Sequence, residues 1–213
     1  MSARMDLSDG YTDLPAGKLA NVATCLEMLE RCPPRPEPPG TGGSLMQINA
    51  PDAERYRRLF RRIGEPYLWF SRLELGDEAL DQIVADPRVE IYVLARDGEE
   101  IGFVELDFRT EGECEIAFFG LADSATGCGN GRRLMNRALE LAWSHPIRRL
   151  WLHTCSLDHP DALPFYLRSG FRAYKRQIEF YNDPRLVGLL PRTAAPQVPL
   201  IYAGRTPSSG QNP

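Results

Sequence analysis

The 213 residues contain only three histidines, at 145, 153 and 159 and in no HExxH pattern, so a metal site is not expected. The five cysteines, at 25, 32, 114, 128 and 155, are an odd, scattered set with no CxxC spacing. They suit reduced thiols and a cytoplasmic protein better than a disulfide framework or a zinc site. No run reaches the roughly 18 apolar residues that a membrane span needs, so no membrane partner is expected. The opening MSARMDLSDGYTD lacks a basic start followed by an apolar core, and no secretion signal is read in it. An excess of positive charge is missing too: the formal net charge is −4, which argues against a nucleic-acid partner.

What is present is ordinary for a globular domain, with 43% hydrophobic and 25% charged residues. Leu19, Val22, Leu26 and Leu29 follow helical spacing, and PPRPEPPGTGG then stops any helix and reads as a linker. Residues 1–43 are therefore expected to be a helical appendage with a Pro/Gly linker. The main domain is placed at 44–203, and the tail at 204–213 has a disordered composition. The appendage is free to cover the domain or to reach a second copy in a homodimer.

Within the main domain, SLMQINA suggests a short strand and Pro51-Asp52 opens a helix. Arg57, Arg58, Arg61 and Arg62 crowd that helix and read as a solvated face. Tyr67, Trp69 and Phe70 read as core or as the wall of a pocket. Asp97-Gly98 and Glu111-Gly112 mark turns between three strands near 89–96, 100–108 and 114–121. A helix follows near 131–143, with Leu134, Ala138, Leu141 and Ala142 on its apolar face. Then come a strand in RRLWLHTC, a helix in HPDALPFYLRSG closed by Gly170, and a strand in FRAYKRQIEFY. This order implies a mixed sheet of α+β or α/β type.

The most informative stretch is TGCGNGRRLM, at Thr126–Met135. Glycines at 127, 129 and 131 stand directly before the helix. A helix start presents unpaired N–H groups and partial positive charge, and residues without side chains let an anion come close. The spacing does not fit GxGxxG, and no lysine completes a Walker loop. Nucleotide cofactors of those two kinds are therefore disfavoured.

EIAFFGLADSATGCGNGRRLM resembles the acetyl-CoA-binding motif of the GNAT N-acetyltransferases: a strand, then Q/R-x-x-G-x-G/A, then a helix. DALPFYLRSGF resembles a second motif of that family, with Ala162, Phe165, Tyr166, Gly170 and Phe171 in place. The two occur in the family's order, and the resemblance covers about residues 45–181. It implies an α+β fold, three-layered in appearance, with a mainly antiparallel central sheet and helices on both faces. It also implies an acetyl-CoA-dependent N-acetyltransferase acting on a small-molecule amine or a protein lysine. A non-catalytic acyl-CoA-binding module is the alternative.

The resemblance assigns the cofactor to Phe119, Gly120, Leu121, Thr126, Gly127, Cys128, Gly129, Asn130, Gly131, Arg132, His159 and Phe165. Thr126 stands where the family has Gln or Arg, and His159 where many members have Asn. Phe119–Leu121 would offer backbone groups to the pantetheine arm, which lies in the family between two splayed strands. Tyr166 is expected as the acid for the leaving thiolate. Glu115 is expected as the base, with Glu113 in competition. Two-residue periodicity places Glu115, Ala117, Phe119 and Leu121 on one face, partly buried, which would strengthen a carboxylate as a base. Tyr67, Trp69 and Arg72 are candidate acceptor contacts. Cys114 and Cys155 read as inert buried thiols, and His153 as a core or pocket-wall residue.

Overall fold

The structure is a computed structural model and describes residues 9–39 and 42–202; the expected disordered tail at 204–213 lies outside the described residues. Its strands are β1 (Lys18–Met28), β2 (Ser44–Ile48), β3 (Val89–Arg96), β4 (Glu99–Asp107), β5 (Glu113–Leu121), β6 (Arg149–Cys155) and β7 (Arg172–Asn182). Its α-helices are α1 (Ala53–Gly64), α2 (Asp77–Val84), α3 (Asn130–Ala142) and α4 (Ala162–Arg168). The strands form one sheet in the order β2-β3-β4-β5-β6-β1-β7. Every pairing is antiparallel except β5 with β6. This is the expected α+β arrangement. Among the described residues no helix is long and apolar enough to cross a membrane.

Two cores flank the sheet. On one face Leu134, Met135, Ala138, Leu139 and Ala142 of α3 pack on Leu94, Val104, Leu106, Ile116 and Leu150. On the other, Tyr56, Leu59, Phe60 and Ile63 of α1 and Leu80 and Val84 of α2 pack on Ile91, Val93 and Phe103. The α1 sequence explains its seat. Asp52 caps its start by accepting from the Arg55 N–H at 2.7 Å. Its apolar residues recur at three- and four-residue spacing, which makes one buried stripe. Arg55, Arg58, Arg61 and Arg62 point outward, and Arg57 is half-buried. Arg58 pairs with Glu54, Arg62 with Glu99, and Arg57 with Asp77. They form a solvated face of ion pairs.

The expected N-terminal helix is overturned. Residues 18–28 are β1, which lies between β6 and β7 and pairs with both. Leu19, Val22, Leu26 and Leu29 match a helical stripe only by coincidence of spacing. Val22 and Leu29 are exposed, whereas Ala23, Cys25, Leu26 and Met28 are buried. A strand with partners on both sides and partial cover on both faces reads as a near-continuous apolar run, so its periodicity misleads. The segment is thus a component of the sheet itself, not an appendage to it.

A second correction concerns β5. Its pairing to β4 runs from Glu115 opposite Asp107 and Ile116 opposite Leu106 to Phe118 opposite Glu105, which leaves Ala117 as a bulge. A bulge adds one residue and reverses the facing of everything beyond it. Cys114 and Ile116 belong to the α3 core, and so do Phe119 and Leu121. Phe118 faces α1, at 4.8 Å from the Phe60 ring centroid. Glu115 therefore faces away from Phe119 and Leu121, contrary to strict alternation.

Candidate active site

β5 and β6 pair only at Glu113–Arg149, Cys114–Leu150 and Glu115–Trp151. Beyond that point they separate, and among the described residues the polar backbone of β5 on that side has no partner strand. A cavity of about 770 Å³ occupies the opening. Its walls include Phe119, Gly120, Leu121, Thr126, Gly127, Gly129, Gly131, Arg132, His159, Phe165, Tyr166, Tyr67 and Trp69. The structure thus brings most of the residues singled out from sequence to one place.

The glycine loop forms one end. Gly127 and Gly129 have φ of 76° and 87°, the left-handed region that favours glycine. Among the described residues, the N–H groups of residues 127–132 find no backbone acceptor. They sit at the start of α3, whose dipole adds positive potential. A cradle of unpaired donors with nothing bulky in front fits a pyrophosphate. The two loop residues absent from the cavity wall shape it from behind. Asn130 is fully buried, and its Nδ2 donates to the Ala125 carbonyl at 3.0 Å. The Cys128 thiol points to that same carbonyl at 3.4 Å. The Thr126 hydroxyl is turned back onto the Asp123 carbonyl, 2.9 Å away.

Tyr166 is buried among Phe119, Phe165 and Phe171. Burial, with Asp158 adding to it, holds its phenol well above the ordinary range, so it stays protonated. Cys155 also lines the cavity. Burial pushes its thiol up to about 12, which suits an inert group rather than a nucleophile.

The far end is made of side chains that sequence reading did not single out: Asn21 of β1, Asp158 after β6, and Glu179 and Tyr181 of β7. Asn21 donates to Glu179 at 2.9 Å. Asp158 accepts from the Trp69 indole at 3.1 Å, the Thr154 hydroxyl at 2.8 Å and the Cys155 N–H at 2.7 Å. Phe70 packs on Tyr181 with ring centroids 4.6 Å apart. The available signal is the alternation of β7, which puts Glu179 and Tyr181 on one face; Asn21 carries none, because the helical spacing around it hides that it lies on a strand.

Glu115 does not line the cavity, and neither does Arg72. Arg72 donates to the fully buried Glu105 at 2.6 Å, and Tyr56 donates to the same carboxylate. Asp107, held by Arg109, lies opposite Glu115. Burial first, and then the negative Asp107, raise the Glu115 carboxyl to about 7. Its link to the cavity is His153, which does line it and whose Nδ1 stands 3.9 Å from a Glu115 oxygen. Glu113 is engaged elsewhere, with Arg149 at 3.1 Å.

A family model, the acetyltransferase (GNAT) family, matches residues 53–171, more than half of the chain, and the chain belongs to this family. Solved structures share the fold. A GCN5-related N-acetyltransferase from Sphaerobacter thermophilus is 16% identical with a TM-score of 0.55, over 76% of this chain and 51% of its own. One from Kribbella flavida is 16% identical with a TM-score of 0.52, over 81% of this chain and 63% of its own. An aminoglycoside acetyltransferase from an uncultured soil metagenomic sample is 15% identical with a TM-score of 0.51, over 65% of this chain and 93% of its own. The chain thus spans about half to two thirds of the first two proteins.

Proposed function

We propose that this acetyltransferase-family protein transfers an acetyl group from acetyl-CoA to a primary amine of a small molecule or a protein lysine. The row of unpaired N–H groups at residues 127–132, opening onto the gap between β5 and β6, carries this reading. Acetyl-CoA supplies the activated thioester. Gly127, Gly129 and Gly131 hold its pyrophosphate, and the unpaired backbone of Phe119–Leu121 holds its arm. That backbone also supplies a donor for the carbonyl oxygen as charge develops on it.

An amine of lysine type is mostly an ammonium at neutral pH and must first lose a proton. His153 reaches the cavity and Glu115 stands behind it. A carboxylate with a pKa near 7 is matched to that task. The proton passes from the ammonium through His153, which relays it, to the Glu115 carboxylate, which keeps it. Tyr166 returns a proton to the departing sulfur. Glu179 and Asp158 make the acceptor end acidic, which suits a positively charged amine.

The test is release of free thiol from acetyl-CoA by the purified chain across a panel of amines. Turnover with a cationic amine that falls roughly ten- to a hundredfold in Tyr166→Phe supports the reading. Tight binding of acetyl-CoA without turnover on any amine would make the chain a binding module instead.

A further inference from the structure

The linker PPRPEPP is not a free tether. The Arg35 N–H donates to the Asn136 side chain at 3.2 Å, and Asn136 donates back to the Arg35 carbonyl at 2.8 Å. This two-point clasp fixes the segment along α3. Glu37 accepts from the same Asn136 amide at 3.1 Å. Pro36 and Pro38 then join the cavity wall beside the glycine loop. The Arg35 guanidinium reaches across to the carbonyl of Arg168 at 3.0 Å, at the C-terminal end of α4.

Three arginines therefore gather at this mouth. Arg132 and Arg168 line the cavity, and Arg35 is bound to the Arg168 backbone. Among the described residues none of the three makes an ion pair. This contrasts with α1, where Arg55, Arg57, Arg58 and Arg62 have carboxylate partners. The Nε of Arg132 is buried without a hydrogen-bond partner. Burial first, and then the charges of Arg35 and Arg168, disfavour its protonated form. Asp161 is the acidic group on the nearby wall and is largely exposed. Three like charges held together by a clasped backbone constitute a site awaiting an anion.

We propose that Arg35, Arg132 and Arg168 bind a phosphomonoester dianion, separate from the pyrophosphate cradle. The group in question is the ribose phosphate by which CoA differs from dephospho-CoA, so the inference rests on the acetyl-CoA reading above. A phosphomonoester carries close to two negative charges at neutral pH and matches guanidinium forks. Arg35 lies outside the matched residues 53–171, so the proline segment adds to the site something that the family match does not contain. It closes the cavity mouth over the ligand.

The experiment is calorimetric titration of the full chain with CoA and with dephospho-CoA, at low and high salt. Wild type is expected to prefer CoA by roughly tenfold or more, and the preference should shrink with salt. Arg35→Gln and Arg168→Gln should each lose most of that preference and leave dephospho-CoA binding unchanged. Inorganic phosphate should compete with CoA more strongly than with dephospho-CoA. Equal binding of both ligands by wild type would overturn the inference and leave the acetyl-CoA reading standing. Variants that weaken both ligands equally would also overturn it, by making the arginines merely structural. Binding of neither ligand would overturn the acetyl-CoA reading itself.

Discussion

The two ends of the cavity are built from different materials. At the glycine loop the chemistry belongs to the backbone: unpaired N–H groups and the start of α3. At the far end it belongs to side chains, from β1, β7 and the turn after β6. A backbone site tolerates changes of side chain as long as the chain can hold its shape. A side-chain site changes with every substitution. That difference explains how Thr126 and Cys128 can stand in the loop without removing the donors.

The sharpest way to break the comparison is at the base. Glu115→Gln should lower kcat by roughly 10² to 10⁴, with acetyl-CoA affinity unchanged. The wild-type rate should rise with pH and level off above an apparent pKa near 7, and the variant should lack that limb. The same substitution has a stability signature. The folded-state pKa lies above the unfolded value, so the native state binds more protons between about pH 4.5 and 7. Wild-type stability then falls as pH rises through that window. Thermal melts at pH 8 should show Glu115→Gln more stable by roughly 3 kcal/mol, the gain vanishing below pH 4.5. A carboxylate in open solvent would show neither effect.

Gly127→Ala tests the backbone end. A Cβ there would meet nothing within 4 Å, so its cost is conformational only, at φ 76°. About 1–2 kcal/mol of strain should weaken CoA by roughly tenfold in a titration. Glu179→Gln tests the opposite end. It should raise the amine KM several-fold, measured by thiol release, with no change in CoA affinity. A shift in CoA affinity would show that the two ends are not independent. Thr126→Ala is the smallest change. Its hydroxyl already faces the Asp123 carbonyl, so CoA binding should stay within about twofold.

Much of this was legible in the sequence, for identifiable reasons. The β3–β5 meander is bounded by turn chemistry, and α3 by glycines on one side and an apolar stripe on its face. Both are local signals. The glycine loop is equally local: nine of the twelve residues assigned with it lie within seven positions of Gly127, and Cys128 and Asn130 act by shaping it. What escaped was non-local. β1 gains its identity from β6 and β7, more than a hundred residues away in sequence. The facing of Glu115 depends on the bulge at Ala117, a property of the pairing with β4 rather than of β5 alone. The network of Arg72, Glu105 and Tyr56 joins three elements and leaves no trace in any one of them.

The position of β1 also sets a timetable. Among the described strands it is the earliest in the chain, and both of its neighbours come late, with Leu26 paired to Leu152 and Ala173. Closing such long loops is entropically slow, and contacts of this separation delay folding. Until β6 is made, β1 waits without either of its sheet partners, exposed to anything that offers an edge. An early stretch of the chain is thus among the last to be paired.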